Sequence, residues 1–168
     1  VEYVVHEGLF HGTTRTTFSP NAPMTRAMLV TVLYRLAEKP EVSGAAGFTD
    51  VAQSKYYADA ISWAKENRIV SGVSQTSFAP EARVTREQLA AIFYRFAQTQ
   101  GYRTDKTAEL SGYGDFSRIS AYALDALGWA NQAGLLNGRS ETQLSAQGYA
   151  TRAEVAAILH RFAENVAK

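Results

Sequence analysis

Apolar positions recur with helical spacing twice in the middle of the chain. Tyr57, Ala60, Ile61 and Ala64 fall at i, i+3, i+4 and i+7, and so do Leu89, Ile92, Phe93 and Phe96. One apolar stripe per segment predicts two amphipathic helices, over roughly Tyr56 to Asn67 and Arg86 to Ala97. Between them, the short run Ile69-Val70-Ser71-Gly72 is stopped by glycine, and a loop over 73–83 carries Phe78-Ala79-Pro80. Phe48-Thr49-Asp50-Val51 opens the unit.

The second helix has a clear start signal. Thr85 with Gln88, and Thr151 with Glu154, have the spacing of a capping box, in which hydroxyl and carboxyl or amide satisfy each other's backbone donors. Val84 and Leu89 are placed to form a hydrophobic staple. Met28 stands at the third box position after Thr25, so that box is half made.

These starts belong to a repeat. Thr25-Arg26, Thr85-Arg86 and Thr151-Arg152 each precede an apolar helical run. The 60-residue offset from Thr25 to Thr85 also relates Gly12 to Gly72, Phe18 to Phe78, Pro20 to Pro80 and Tyr34-Arg35 to Tyr94-Arg95. The 66-residue offset from Thr85 to Thr151 relates Trp63 to Trp129, Gly72 to Gly138, and Arg95-Phe96-Ala97 to Arg161-Phe162-Ala163. Self-similarity at a fixed period governs the fold reading. Three helix–loop–helix copies cover 1–37, 48–97 and 113–163, joined by turn-rich linkers over 38–47 and 98–112. A single copy is too small to bury both stripes, so the three are expected to pack as one all-α domain. The first copy is truncated: Val1 aligns with Ile61, and the chain starts inside the first helix of its repeat.

Composition narrows the function classes. The 168 residues carry 17 basic and 16 acidic side chains, a net charge of +1. That balance argues against nucleic acid as a partner, which calls for a strong basic field. With no cysteine there is no disulfide framework and no thiolate metal site. No apolar run reaches the length of a bilayer span, so membrane insertion is not expected. The start, Val1-Glu2-Tyr3-Val4-Val5-His6, is not a signal peptide, and with no initiating methionine the chain reads as a piece of something longer.

The candidate chemistry lies at Arg26, Arg86 and Arg152. Arginine in a first helical turn faces the partial positive charge of the helix N-terminus, which costs roughly 0.3–1 kcal/mol unless compensated. An anion held jointly by the guanidinium and free N–H groups would compensate it. A solvated side chain or a salt bridge between repeats is the plainer alternative. Thr25, Thr85 and Thr151 are helix caps first and ligand contacts second. Asp50 and Asp115, each after an aromatic-led opening, either cap a turn or stand as hydrogen-bond acceptors for a ligand. Gly12, Gly72 and Gly138 supply positive φ or close approach, with a groove-lining role following from that. Trp63 and Trp129 border the apolar stripe, where a ring packs in the core or turns toward a ligand. Arg35, Arg95 and Arg161, near helix ends, read as structural. His6, His11 and His160 have no ligand spacing, so no metal is assigned; no cofactor is implied and no catalytic motif is recognisable.

The string F-x-D-V, Y-A-x-A-I-x-W-A, I-V-S-G, F-x-P and V-T-R-E-Q-L-A resembles the S-layer homology family, over nearly the whole chain. The resemblance implies a non-catalytic anchor at one end of a larger exported protein, located at the bacterial cell surface. It implies a pseudo-threefold helical bundle with grooves between neighbouring repeats. The grooves would bind a secondary cell-wall polymer, an anionic glycan often bearing pyruvate ketals, with Arg26, Arg86 and Arg152 as carboxylate ligands. Repeat 3 departs from the pattern, with Leu144 and Ala146 where repeat 2 has Phe78 and Pro80. Repeat 1 has His11 where the others have Ser71 and Asn137, and lacks its opening aspartate. The sites are therefore expected to be unequal, with Arg86 heading the best formed. The alternatives from other classes are a helical protein–protein docking or self-assembly module, and a glycan-processing enzyme using acidic residues.

Overall fold

The computed structural model describes residues 1–14 and 16–167. Among the described residues six α-helices follow the repeat plan: α1 (Glu2–His6), α2 (Arg26–Leu36), α3 (Ala58–Glu66), α4 (Arg86–Thr99), α5 (Leu124–Gln132) and α6 (Arg152–Asn165). Two short 3-10 turns, Phe116–Arg118 and Ala121–Ala123, precede α5. Among the described residues strand pairing is limited to three isolated bridges, so the protein is all-α as expected.

The helices pack between repeats. The second helix of each copy lies against the first helix of the next: α2 on α3, α4 on α5, and α6 back on α1. The helices thus close into a ring, with α6 and α1 forming the closure. Aromatic pairs mark the three seams at equivalent positions. Tyr34 meets Trp63 at 5.5 Å between centroids, Tyr94 meets Trp129 at 5.6 Å, and His160 meets Tyr3 at 4.9 Å. Phe93, Phe96 and Phe162 join the seams at the centre, where edge-on and tilted rings contact one another.

The residues just before the three Thr-Arg helices form a second ring. Met24 N–H donates to the Ala150 carbonyl (2.9 Å), Ala150 N–H to the Val84 carbonyl (3.0 Å), and Val84 N–H to the Met24 carbonyl (2.9 Å). All three residues are fully buried. Buried backbone donors and acceptors must be paired, and here each repeat satisfies the next in a closed cycle.

The caps form as the sequence predicts. Thr85 and Thr151 complete capping boxes with Gln88 and Glu154, whereas Thr25 accepts from Met28 N–H without a return bond. The N–H groups of Arg26 and Ala27 donate to carbonyls of Ala82 and Pro80 in the repeat 2 loop, at 2.9 Å each. Those of Arg86 and Glu87 use Gly148 and Ala146 of repeat 3, and those of Arg152 and Ala153 use Ala22 and Pro20 of repeat 1. Every Thr-Arg helix is thereby seated on its neighbour's loop.

Candidate functional site

Three clefts repeat around the ring, each with a Thr-Arg arginine at its base. Arg152 heads one of ≈ 450 Å³, lined by Gly12, Met28, Arg35 and Tyr56. Arg26 heads one of ≈ 350 Å³, lined by Gly72, Gln88, Arg95 and Tyr122. Arg86 heads one of ≈ 410 Å³, lined by Gly138, Arg139, Glu154 and Arg161. In the first two, one repeat supplies the arginine, the next the glycine loop and second helix, and the one after that a tyrosine.

The arginine side chains run along the neighbouring loop. Arg26 Nε donates to the Phe78 carbonyl (3.0 Å) and Nη2 to the Ser71 carbonyl (3.0 Å). Arg152 donates from the same two nitrogens to Phe18 (2.9 Å) and His11 (2.8 Å). Arg86 uses Leu144 (3.2 Å) and Asn137. The Arg26 guanidinium lies 4.5 Å from the Phe78 ring centre, and that of Arg152 lies 4.7 Å from Phe18 and 5.0 Å from Phe10. Leu144 denies Arg86 such a ring. Burial pushes all three guanidinium groups below their ordinary value. They stay charged, because arginine does not deprotonate in proteins.

This corrects part of the sequence reading. The first-turn N–H groups are not free for an anion, because loop carbonyls and threonine caps already hold them. Carbonyl dipoles compensate each misplaced cation, joined by aromatic faces at Arg26 and Arg152 and by the Glu154 carboxylate at Arg86. The planar edge formed by Nε and Nη2 is bound to the neighbouring loop, which leaves Nη1 as the nitrogen with no carbonyl partner in that loop. In Arg26 and Arg152 that nitrogen has no partner among the described residues, and no buried side-chain nitrogen or oxygen among them is unsatisfied. It is therefore not fully buried, and both arginines line a cleft. In Arg86 it donates to Glu154 Oε1 at 3.2 Å, and Glu154 also receives Arg139 at 3.2 Å.

Other candidates take different places. Gly12, Gly72 and Gly138 line the clefts, and close approach explains them. A Cβ on Gly72 would meet backbone oxygens of Ser74 at 2.3 Å and Ser77 at 2.6 Å, and none of the three glycines has positive φ. Thr25, Thr85 and Thr151 have their hydroxyls in the helix caps and do not line these clefts. Asp50 accepts from Phe78 N–H (2.9 Å), Ala79 N–H (2.8 Å) and Ser77 Oγ (2.7 Å). Asp115 accepts from Leu144 N–H (2.9 Å) and Ser145 N–H (2.7 Å). Desolvation opposes ionisation of both, but these bonds outweigh it and lower both carboxyls below their ordinary value. Both aspartates fold the loop that receives the neighbour's arginine. Trp63 and Trp129 are buried in the seams, 3% and 2% exposed, and line none of the three arginine clefts; Trp129 borders a separate hollow beside Tyr102 and Arg103.

Two sets of cleft residues escaped the sequence reading. Arg35 and Arg161 do hold carbonyls of their own repeats, Leu9 and Leu135, yet they also face the clefts, as does Arg95. Tyr56 and Tyr122 are 63% and 55% exposed beside the Arg152 and Arg26 clefts. The 66-residue offset links these two tyrosines and was the available signal.

The S-layer homology domain model matches residues 1–27, 47–90 and 112–156. The chain belongs to the S-layer homology domain family. Among its relatives is the surface-layer 125 kDa protein of Lysinibacillus sphaericus, 31% identical over 99% of this chain and 14% of that protein. Amylopullulanase of Thermoanaerobacterium thermosulfurigenes is 28% identical over 98% of this chain and 9% of that enzyme. Exoglucanase XynX of Acetivibrio thermocellus is 27% identical over 98% of this chain and 15% of that enzyme. The S-layer homology segment thus spans 9–15% of the length of these relatives. It is an extracellular cell-surface anchoring module, and it is not itself an enzyme. No helix among the described residues is long and apolar enough to cross a membrane.

Proposed function

We propose that the Arg152 and Arg26 clefts bind a carboxylate displayed on an anionic wall glycan, in particular a pyruvate ketal on a secondary cell-wall polysaccharide. The three repeats over 1–37, 48–97 and 113–163 act as one binding unit, since each of these clefts draws on all three. The observation that carries the reading is the unpartnered Nη1 of Arg26 and Arg152, each in a cleft with a second arginine and an exposed tyrosine. A carboxylate entering there meets two cations, Arg26 with Arg95 or Arg152 with Arg35. Charge-assisted hydrogen bonds of this kind are about twice as strong as neutral ones. The tyrosine offers an aromatic face and a hydroxyl to a sugar ring. The aspartates, threonines and tryptophans support the clefts from behind.

Calorimetric titration against purified wall polymer tests the reading. Binding is expected to be lost when mild acid removes the ketal pyruvate, and lost in the Arg26→Lys/Arg152→Lys double variant. Undiminished binding after pyruvate removal would overturn it.

A further inference from the structure

The three clefts carry different residues at one equivalent position. The third residue of the Thr-Arg helix is Met28 in the Arg152 cleft, Gln88 in the Arg26 cleft and Glu154 in the Arg86 cleft. Only at the last is it an anion. Glu154 Oε1 accepts from Arg86 Nη1 (3.2 Å) and from Arg139 Nη2 (3.2 Å), while Oε2 accepts from Thr151 N–H (2.7 Å). Arg86 is 5% exposed, and all three of its nitrogens are engaged, with Leu144, Asn137 and Glu154. Arg139 Nη2 also donates to the Tyr149 carbonyl at 2.7 Å.

We infer that Glu154 is a built-in carboxylate that occupies the Arg86 cleft and closes it to external carboxylates, setting this domain's capacity at two. The inference rests on the carboxylate reading of the other two clefts. It reverses the ranking drawn from sequence, in which the complete opening, loop and capping box of repeat 2 put Arg86 first. The partner that decides the matter comes from repeat 3, 68 residues away. A carboxylate ligand at Arg86 would have to displace one already held by two guanidinium groups and a backbone amide. Glu154 loses none of its translational freedom on binding, so a free ligand competes at a large entropic disadvantage.

Gln88 shows that glutamine serves equally in the capping box, accepting from Thr85 N–H at 3.2 Å. Glu154→Gln should therefore keep the helix start, remove the negative charge and leave Arg86 and Arg139 in need of an anion. The test follows the arginine Nε–H signals of the 15N-labelled domain by NMR. The probe is a methyl glucoside carrying one pyruvate ketal. In the parent, Arg26 and Arg152 are expected to shift saturably and Arg86 to stay silent. In Glu154→Gln, Arg86 should shift as well, and the calorimetric stoichiometry should rise from two to three.

A saturable Arg86 shift in the parent, or silence in the variant while Arg26 and Arg152 respond, overturns the inference and leaves the carboxylate reading standing. Silence of all three in both proteins overturns the carboxylate reading and this inference with it. Should Glu154→Gln fail to fold, Glu154→Met reproduces the arrangement at Met28 and is read the same way.

Discussion

The Arg26 guanidinium lies over the ring of Phe78, 4.5 Å from its centre, while its Nε donates to that residue's carbonyl at 3.0 Å. One arginine thus grips both the side chain and the backbone of the neighbouring repeat. A residue that looks misplaced at a helix start is part of the joint between repeats.

Arginine removal should therefore cost stability as well as ligand. Arg152→Ala loses two hydrogen bonds from a charged donor and contact with two rings, on the order of 3 kcal/mol in all. Chemical denaturation should show this without any ligand present. Arg152→Lys should recover part of it, since the stem still packs but the planar group is gone. A denaturation midpoint unchanged in the alanine variant would place Arg152 outside the joint.

The clefts should depend on their tyrosines differently. Tyr122 is 55% exposed, and exposed substitutions usually change stability by about 0.5 kcal/mol or less. Tyr122→Ala should lower affinity for pyruvylated polymer several-fold at the Arg26 cleft while the melting temperature barely moves. Equal affinity in parent and variant would remove Tyr122 from the ligand set.

Gly72 tests the loop. Its missing Cβ leaves room for the Ser74 and Ser77 carbonyls, which are backbone and cannot swing away. Gly72→Ala should destabilise by about 2 kcal/mol or more and weaken binding at the Arg26 cleft, as seen by denaturation and titration. Gly112→Ala is the control, because nothing lies within 4 Å of its would-be Cβ.

The aspartates set the acid limit. Both carboxyls sit below their ordinary value of 3.8 when folded, so the folded state favours their ionised forms. Their stabilisation is fully present above that value and is lost as pH falls through the lowered folded values. Asp50→Asn should make stability less dependent on pH below about 4. A parent and variant with parallel pH profiles in that range would contradict it.

Much of this was legible in the chain. The stripes Tyr57–Ala64 and Leu89–Phe96 are buried as their spacing requires, and Thr85 and Thr151 close the boxes their partners announce. These are local signals, with cause and effect a turn or two apart. What was not legible depends on contacts between repeats. Nothing near Arg86 in sequence reveals Glu154, and nothing near Arg152 reveals that Phe18 and His11, more than 130 residues away, will take its donors. Asp50 could not be assigned from its own segment either, because its partners lie 27 to 29 residues on, in the loop it folds. The tryptophans were ambiguous because the same helical position faces a neighbouring repeat rather than its own.

The ring has one seam that the chain does not sew. Linkers join α2 to α3 and α4 to α5, but no linker joins α6 to α1, which are held by packing and by the backbone bonds between repeats 3 and 1. Opening the chain at one of the linkers and tying α6 to α1 would leave the helix partners in place. The direction of pull then decides how firmly the module holds. A pull applied at the end of α6 is expected to load the unsewn seam first, and the backbone cycle of Met24, Val84 and Ala150 spans that seam and the next two. In an anchor, those three buried residues are placed to serve as a clasp under tension.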